Sequence, residues 1–458
     1  MKVAIIRPLF DRDELEFQEP CGAQAICGFI RANGYDCRVF DRRIGATVSD
    51  IERYDPACVG FSVMTDGDIP DALKLLLELK NGKRRFFAGG LFITTNPDKA
   101  RALFPSDTLL ISGEGELPAV NYLRGLEDKP PLQKEYLHPN DWAFQSRENI
   151  RAYIERGGVM NIRSARGCRG NCTFCTTPGL APELRRFQAR DISLVVDEIA
   201  ASLPLLYEPV VNFTDDEFGD VSRIFELTEE LDKRDMNVAF SLELRASAML
   251  KANDQDWEKL HIGGLCRVFT GLESVNKDTL KKWKKPINPE AVIESVVKCQ
   301  SAGIVCEVGY ILWHPDQTVK GALREIDRLH QHGLFSPKVA LSRLILLPGS
   351  ELHSAYGKAG DYPAPLSGES EAYYNRMNGL LAPLAELRNK CAVALPNAAC
   401  TAFLSGDSRR KDRLIRLMKE INDLSYEAIM NMRSPESDKI TKLRSEADEI
   451  CRSGQLVK

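Results

Sequence analysis

The chain has 458 residues, 43% of them hydrophobic, and its 61 Lys and Arg residues nearly balance 65 Asp and Glu residues for a formal charge of −4. This length favours two or three domains with packed cores. With no block of basic residues, the charge argues against nucleic-acid binding and favours a small-molecule or peptide-scale substrate. Thirteen cysteines without a paired framework, and the lack of a signal peptide or a long apolar run, predict a cytoplasmic protein that does not contact a membrane.

Strand and helix signals alternate at the start of the chain. The strand-like runs are 2–7, 37–40, 59–63, 85–88 and 108–112, and the helical runs are 23–32 and 69–80. Both helical runs end in an Asn-Gly pair, a frequent helix C-terminus. This alternation is typical of a doubly wound parallel sheet, whose ligands bind beyond the carboxyl ends of the strands.

Small or hydroxylated residues and two glutamates follow three of these strands. They are Ser62, Thr65, Gly89, Gly90, Gly113, Glu114, Gly115 and Glu116. Such residues let a large ligand approach the backbone closely, although ordinary strand-to-helix turns use them too. A proline-broken linker, 129–158, follows; its His138 and Trp142 either line a cleft between domains or face solvent.

The alternation resumes at residue 159. Strands are predicted at 159–163, 209–214, 237–243, 266–270, 305–312 and 339–346, and helices at 192–202, 221–233, 255–261, 289–302 and 319–332. Six βα units are too few for a closed eight-stranded barrel. In barrels of this kind, catalytic residues lie at the carboxyl ends of the strands.

Three cysteines follow the first of these strands in Arg-Gly-Cys-Arg-Gly-Asn-Cys-Thr-Phe-Cys, residues 166–175. Cys168, Cys172 and Cys175 are near enough for one loop to direct three thiolates to a common centre. Four thiolates close a zinc site or saturate a cubane cluster, whereas three leave one cubane iron open. Arg166 and Arg169 would offset the charge of such a cluster. The alternative is three buried or zinc-binding cysteines.

Polar residues end the later strands as well. They are Asp215 and Asp216, then Glu243 and Arg245, then Glu273 and Ser274, and finally Trp313 and His314. The two aspartates either hold a cation or cap a helix. Glu243 and Arg245 point to the same side of their strand, and either bind a ligand together or form a structural ion pair.

The cysteine motif, with an aromatic residue before its last cysteine, resembles the signature of the radical S-adenosylmethionine (radical SAM) superfamily. The resemblance implies a [4Fe-4S] cluster on Cys168, Cys172 and Cys175 that cleaves SAM to a 5′-deoxyadenosyl radical. It also implies that SAM contacts a set of strand-end residues. These are Phe174, Asp215, Asp216, Glu243, Arg245, Glu273, Ser274 and Ile311.

The Gly-Phe-Ser, Ala-Gly-Gly and Gly-Glu-Gly-Glu segments of the first 126 residues resemble the cobalamin-binding domain of one subclass of that superfamily. This implies that Ser62, Thr65 and the glycines and glutamates of residues 89–90 and 113–116 bind cobalamin. His138 is the first histidine of the chain, so no histidine of this domain ligates cobalt. A degenerate domain that has lost the cofactor is the alternative.

The predicted fold is therefore α/β, in four parts. A Rossmann-like cobalamin-type domain (1–128) and a linker (129–158) precede a partial (β/α)6 barrel of the radical SAM type (159–365). A helical region (366–458) follows, with a long amphipathic helix at 414–432. The chain departs from the usual family pattern at Trp313 and His314, so these are the candidates for touching substrate or cobalamin. A packed Trp with a surface His is the alternative.

These features predict a cobalamin-dependent radical SAM enzyme that methylates an unactivated carbon and takes electrons from a donor such as flavodoxin or ferredoxin. Radical rearrangement, cyclisation, dehydration or epimerisation is the alternative reaction. A hypothesis from another class is an iron–sulfur electron-transfer protein that does not cleave SAM.

Overall fold

The structure, a computed structural model, describes residues 1–10, 19–180, 186–357 and 363–452. The chain divides into two compact units. The first comprises Met1–Arg166 and Leu180–Tyr207, and the second comprises Gly167–Gly179 and Glu208–Lys458. The predicted four-part division stays a prediction, because compactness alone does not assign a domain type.

A five-stranded parallel sheet forms the centre of the first unit, in the order β2-β1-β3-β4-β5. Its strands are β1 (Lys2–Arg7), β2 (Asp36–Asp41), β3 (Cys58–Ser62), β4 (Arg85–Gly89) and β5 (Thr108–Leu110). Its helices are α1 (Cys21–Ala32), α2 (Val48–Tyr54), α3 (Ile69–Leu79), α4 (Leu91–Thr95), α5 (Pro97–Leu103) and α6 (Glu116–Leu126). The predicted doubly wound sheet is confirmed; the sequence patterns missed α2, α4, α5 and α6.

Both faces of this sheet are buried because successive strand residues point to opposite sides. Val3 and Ile5 of β1 pack into one apolar cluster with residues of α1 and α6. Ala4 and Ile6 pack into a second cluster with residues of α3. The all-apolar run at the start of the chain is therefore a central strand between two layers of helices.

Shorter elements complete the first unit. They are α7 (Ile150–Ile154), β6 (Met160–Ile162), β7 (Ala165–Arg166), β8 (Gln188–Ala189) and α8 (Ile192–Ser202). Strands β7 and β8 pair antiparallel, with Ala165 opposite Ala189.

The second unit contains four parallel strands in the order β12-β11-β10-β9. They are β9 (Val210–Phe213), β10 (Ala239–Glu243), β11 (Leu265–Glu273) and β12 (Val305–Tyr310). The helices are α9 (Val221–Lys233), α10 (Ala246–Met249), α11 (Asp254–Ile262), α12 (Lys277–Lys282), α13 (Pro289–Ser301), α14 (Val319–Gln331), α15 (Pro337–Ala340) and α16 (Glu351–Tyr356). The predicted βα alternation is confirmed through β12.

The sixth predicted strand, 339–346, is a correction. Its first residues belong to α15, because Pro337 opens a helical turn and Ser336 Oγ accepts a hydrogen bond from the Val339 amide at 3.2 Å. Extended pairing follows only as single bridges, a parallel one between Trp313 and Arg343 and an antiparallel one between Ile345 and Pro363.

The two faces of the second sheet differ, as β11 shows. Cys266, Val268, Thr270 and Leu272 are buried, and helices α10, α11 and α13 pack against this strand. The alternate residues, Arg267, Phe269, Gly271 and Glu273, are partly accessible. We call the side that carries these four residues the inner face of the sheet.

The C-terminal region is helical, as predicted. It contains α17 (Gly368–Ser405), α18 (Arg409–Asn431) and α19 (Ser437–Arg452). Helix α17 includes Pro383 and Pro396 and packs against β10 and β11. Within the described ranges, no helix is long and apolar enough to cross a membrane.

We expect Gly28→Ala to destabilise the protein by about 1–3 kcal/mol, since overpacking a filled interior forces the backbone apart. A Cβ at Gly28, on α1, would lie 2.0 Å from the carbonyl oxygen of Phe144. Gly22→Ala in the same helix is the control: its Cβ would meet nothing within 4 Å, so the gain in helix propensity stabilises by up to about 1 kcal/mol. Urea unfolding measures both; equal effects would contradict the account.

Candidate functional site

The three cysteines of the motif lie on one loop of the second unit, Gly167–Gly179. All three are partly exposed and form no disulfide. The Gly170 amide donates to Cys168 Sγ at 3.3 Å. A Cβ at Gly170 would lie 3.4 Å from that sulfur and 3.7 Å from Arg245 Nη2. The glycine thus lets the loop turn closely around its own thiol, beside a cation.

Backbone hydrogen bonds tie the middle of this loop to two other segments. The Thr173 amide donates to the Trp283 carbonyl at 3.0 Å, and the Leu352 amide donates to the Thr173 carbonyl at 2.9 Å. The Cys175 amide donates to the Cys172 carbonyl at 3.1 Å. Since main-chain groups make these bonds, the loop conformation depends on the fold of the whole unit.

Glu217 is a site residue that the sequence analysis missed. Its side chain is almost fully buried. One oxygen accepts from the Arg169 amide at 2.9 Å, and the other accepts from Arg169 Nε at 2.7 Å. Arg245 Nη1 lies 3.8 Å from the first oxygen. The carboxylate therefore holds the loop between Cys168 and Cys172 and orients Arg245 as well. Only its place beside Asp215 and Asp216 could have drawn attention to it.

The electrostatic surroundings of the loop suit thiolates that coordinate a metal. Burial raises the pKa of Cys168 to about 11; the Gly170 hydrogen bond and Arg245 oppose the rise, while Glu217 adds to it. Burial also raises the pKa of Cys172, and Lys285 and Arg245 oppose that rise. The two cations therefore favour the thiolate forms but do not outweigh the effect of burial. Metal coordination would supply the rest of the stabilisation that the thiolates need.

Among the described residues, no three His, Cys, Asp or Glu side chains converge on a point that would hold a single metal ion. A cubane binds each thiolate to a different iron, so its cysteines lie further apart than the ligands of one ion.

Glu273, at the end of β11, has a left-handed backbone with φ of +64°. Such a conformation is unfavourable for a residue with a side chain and is frequent at functional sites. Lys285 Nζ donates to its Oε1 at 2.9 Å and lies 6.0 Å from the centre of the Phe174 ring. A Cβ at Gly271 would meet both charged groups, at 2.1 and 2.5 Å. Glycine at this position is thus what allows the Glu273–Lys285 pair to lie against the strand.

Ser274 is not accessible on the surface around the cysteine loop. It is fully buried, and its hydroxyl donates to Glu325 at 3.2 Å. The Tyr310 hydroxyl donates to the same carboxylate, and Gln317 Nε2 donates to its other oxygen at 2.9 Å. Ser274 therefore stabilises the turn after β11, and a direct contact with SAM would require this network to open.

The acidic residues after β9 and β10 differ in exposure. Asp215 is buried, whereas Asp216 and Glu243 are accessible to solvent. The surrounding protein raises the pKa of Glu243 to about 7; Arg267 opposes this rise, and the like charges of Asp216 and Asp215 add to it. Glu243 is thus an accessible carboxylate whose charged form is disfavoured by the surrounding protein and by the neighbouring acids.

Trp313 is a correction to the predicted site. It is fully buried, its indole N–H donates to the Ala340 carbonyl at 2.8 Å, and its ring packs against Tyr373 and Tyr374. These contacts make it a core residue that joins the sheet to α17. In this arrangement its side chain has no surface that a substrate could touch.

His314 belongs to an aromatic row with Phe174 and Trp283. The Trp283 ring lies 5.5 Å from Phe174 and 5.1 Å from His314, edge to face in both cases. Burial lowers the pKa of His314 to about 4, although Asp316 opposes the shift. His314 is therefore neutral at pH 7. Ile311 packs with Phe174 in a small apolar cluster, which brings these two predicted SAM residues together.

The predicted cobalamin residues of the first unit mostly support its turns. Gly90 has φ of +110°, and a Cβ there would lie 2.4 Å from the Val63 carbonyl oxygen. The Gly113 amide donates to Thr94 Oγ1 at 3.0 Å. A Cβ at Gly115 would meet Ile26 at 2.7 Å, and the Thr65 amide donates to Asp68 at 2.9 Å. Ser62 is buried, and Gly89 is half-buried.

The carboxylates of Glu114 and Glu116 form ion pairs with two arginines. Arg166 pairs with both carboxylates, and Arg163 pairs with Glu116 at 3.0 Å. Both guanidinium groups lie over the Trp142 ring, that of Arg163 at 4.9 Å and that of Arg166 at 4.1 Å from the ring centre. Burial opposes ionisation of Glu116, but Arg166 and Arg163 outweigh it and lower its pKa to about 2. This corrects the idea that Arg166 is available to balance a cluster.

Three large apolar side chains are exposed just after strands of the first sheet. Leu9 follows β1, Met64 follows β3 and Leu91 follows β4, and each is about 40% exposed (41%, 42% and 40%). Because parallel strands end at the same edge, the three residues lie along one edge of the sheet. An apolar edge of this kind fits a large, flat ligand such as the corrin ring of cobalamin.

Residues 162–326 match the family model of the radical SAM superfamily. The structure resembles that of the cobalamin-dependent SAM radical enzyme OxsB with aqua-cobalamin and SAM bound, with a TM-score of 0.72 at 15% identity over 99% of this chain and 80% of that one. The chain therefore contains a domain of the radical SAM superfamily. Its fold is the one seen in cobalamin-dependent members.

A second solved structure has a similar fold. It is the radical SAM methyltransferase TsrM from Kitasatospora setae with tryptophan substrate and a SAM analogue bound, with a TM-score of 0.63 at 14% identity over 99% of each chain. These likenesses confirm the predicted α/β architecture. The radical SAM match confirms the predicted [4Fe-4S] cluster and SAM as cofactors, and the similar OxsB structure has aqua-cobalamin bound.

The chain is also similar in sequence to two methyl-transferring enzymes, over about two thirds of its length. The chain is 24% identical over 313 residues to bacteriochlorophyllide d C-8(2)-methyltransferase of Chlorobaculum tepidum, covering 63% of this chain and 66% of that protein. It is 23% identical over 337 residues to hopanoid C-3 methylase of Methylococcus capsulatus, covering 64% and 61%. The radical SAM chain thus spans about two thirds of the length of these relatives.

We expect Glu217→Gln to reduce severalfold the iron bound per chain after anaerobic reconstitution, because the loop between Cys168 and Cys172 loses its anchor. A double-mutant cycle with Arg169→Met, measured on the free energy of unfolding, should give a coupling energy of about 1 kcal/mol. This energy is low because Arg169 is partly exposed. Asp220→Asn is the control, since Asp220 pairs with the same arginine from a more exposed position. Unchanged iron loading in Glu217→Gln would refute the anchoring role.

Proposed function

We propose that this chain is a cobalamin-dependent radical SAM enzyme that methylates an unactivated carbon of a small-molecule or peptide-scale substrate. The observation that carries the proposal is the loop with Cys168, Cys172 and Cys175, which Glu217 holds beside two cations, Arg245 and Lys285. Three thiolates leave one iron of a cubane open.

In this proposal the loop cysteines bind the cluster, and the surrounding strand ends bind SAM. Arg245 is placed to bind the SAM carboxylate, because its guanidinium is half-buried beside the loop. Glu243 is accessible at the end of β10 and accepts hydrogen bonds from the ribose hydroxyls. Glu273, Asp215 and Asp216 are candidates for the amino group, and Phe174 and Ile311 flank the adenine.

When bound, the reduced cluster supplies the electron that cleaves SAM to a 5′-deoxyadenosyl radical. The protein's part is to place the groups and to exclude water. The row of Phe174, Trp283 and neutral His314 covers the side of the loop with apolar rings. A neutral imidazole at this position adds no positive charge near the cluster. Flavodoxin or ferredoxin is the proposed electron donor.

When bound, cobalamin supplies the methyl group. The exposed edge of Leu9, Met64 and Leu91 is the proposed apolar support for its corrin ring. Glu114 and Glu116 act indirectly, since their ion pairs with Arg163 and Arg166 fix the turn before α6. Methyl transfer itself is supported by the named relatives, two of which are a methyltransferase and a methylase.

An electron-transfer protein without SAM cleavage is the weaker hypothesis. A simple electron carrier does not need a desolvated carboxylate such as Glu243, or a strained one such as Glu273, beside its cluster. Both features are costly unless a ligand uses them.

We expect Cys172→Ala to abolish 5′-deoxyadenosine formation when the reconstituted protein is mixed with SAM and dithionite, because a cubane needs all three loop thiolates. Cys21→Ala, a partly exposed cysteine outside the loop, is the matched control and should retain activity. Liquid chromatography measures the nucleoside. Retained activity in Cys172→Ala, or no product from the unaltered protein, would refute the cluster assignment.

We expect protein produced with hydroxocobalamin to show the absorption bands of cobalamin after gel filtration. Met64→Asp should weaken this binding at least tenfold, since a charge at the apolar edge must be desolvated against the corrin. Leu77→Asp is the control, because Leu77 is an exposed leucine on α3, away from the strand ends. Absence of cobalamin bands in the unaltered protein would contradict the methyltransferase proposal.

A further inference from the structure

Besides Glu273, three charged side chains lie on the inner face of the sheet in the second unit, and another reaches it from α17. Arg267 Nε of β11 donates to Glu307 of β12 at 2.8 Å. Glu243 of β10 is within electrostatic reach of Arg267, and Arg388 of α17 is within reach of Glu307. The charges alternate in sign from Glu243 to Arg388. We call these four residues the charge row.

The strand register places the row on one face. Phe269 of β11 lies opposite Glu243 on one side and opposite Glu307 on the other. The Phe269 ring lies over Gly309 and is partly accessible. Two carboxylates thus flank an accessible aromatic surface, and helix α17 packs against β10 and β11.

Arg267 and Glu307, in the middle of the charge row, pair with each other, whereas Glu243 and Arg388 at its two ends are unpaired. Within the described ranges, Arg388 makes neither a hydrogen bond nor an ion pair, and its Nε is sealed from solvent. The Glu243 carboxylate likewise has no hydrogen-bonded or ion-paired partner among the described residues. Arg343 of the same unit shows the usual arrangement: its guanidinium donates to Glu371 and to the Ala364 carbonyl, at 2.8 and 2.7 Å.

Arg388 is partly accessible, but the surrounding protein removes part of the water from its guanidinium and supplies no acceptor in return. Such incomplete compensation of desolvation opposes folding. Burial accordingly lowers the pKa of Arg388, and Glu307 only partly opposes the shift. A methionine of similar length would pack at this position without that cost. An unpaired cation here therefore points to a ligand that supplies the missing acceptors.

We propose that Arg388 binds an anionic group of the substrate, a carboxylate or a phosphate, at the inner face of the sheet. The inference rests on the proposed function and adds the substrate class: a small anionic molecule with an apolar part that lies on Phe269. The row leads from Arg388 to Glu243, which we assign to the SAM ribose. An anion held at Arg388 therefore fixes the far end of a substrate whose reacting carbon approaches SAM.

Thermal unfolding of the full chain tests the assignment with succinate and inorganic phosphate as probes and chloride at equal ionic strength as reference. At least one probe should raise the melting temperature of the unaltered protein above its value in chloride, because a ligand bound only to the folded state stabilises it. Arg388→Met should lose this shift, and Arg388→Lys should keep part of it. A response to succinate alone indicates a carboxylate substrate, and a response to phosphate alone indicates a phosphorylated one.

Arg343→Met is the matched control, since its guanidinium is fully paired. Without probes, Arg388→Met should melt at or above the temperature of the unaltered protein, whereas Arg343→Met should melt lower. The proposal is overturned if neither probe exceeds chloride, if Arg388→Met keeps the full shift, or if it is destabilised as much as Arg343→Met. The assay needs no cluster, SAM or reductant, so failure of 5′-deoxyadenosine formation is a separate result that bears only on the proposed function.

Discussion

The arrangement of the site depends on the buried carboxylate of Glu217. It accepts hydrogen bonds from both the main chain and the guanidinium of Arg169, between the first two cysteines of the loop. Arg245 lies against the same carboxylate. One buried anion thus fixes the loop that would carry a cluster and a cation that would bind SAM. Removing one partner of such a pair leaves an uncompensated charge, which costs more than the pair contributes to stability.

The second unit contains two sets of charged side chains that differ in how they are paired. Around the cysteine loop, charges are paired with one another: Glu217 with Arg169, and Glu273 with Lys285. Along the inner face of the sheet, the row from Glu243 to Arg388 is paired only in the middle. Paired charges hold a loop in one conformation, whereas unpaired and partly desolvated charges are retained where a ligand completes them. The first set therefore organises the cluster loop, and the second set is the proposed recognition surface.

Local patterns were enough to predict most of the fold. Apolar runs between turn residues located β1 to β5 and β9 to β12, because burial on both faces requires continuous apolar strands. The cysteine spacing predicted one loop because its residues are close in sequence. The predicted strand at 339–346 failed because Ser336 and Pro337 start a helical turn there. The contacts of Trp313, and those of the pair Glu114 and Glu116, could not be predicted for a different reason. Their partners, α17 in one case and Arg163 and Arg166 in the other, are distant in sequence, as is the partner of Glu217.

The central claim is that three cysteines leave one iron available to SAM. Electron paramagnetic resonance of the reduced, reconstituted protein tests it most directly, with SAM that carries ¹⁵N in its amino group. The account predicts that adding SAM changes the cluster spectrum and that the label produces a hyperfine coupling to the cluster. A cluster spectrum that SAM leaves unchanged, with no coupling to the label, would contradict it.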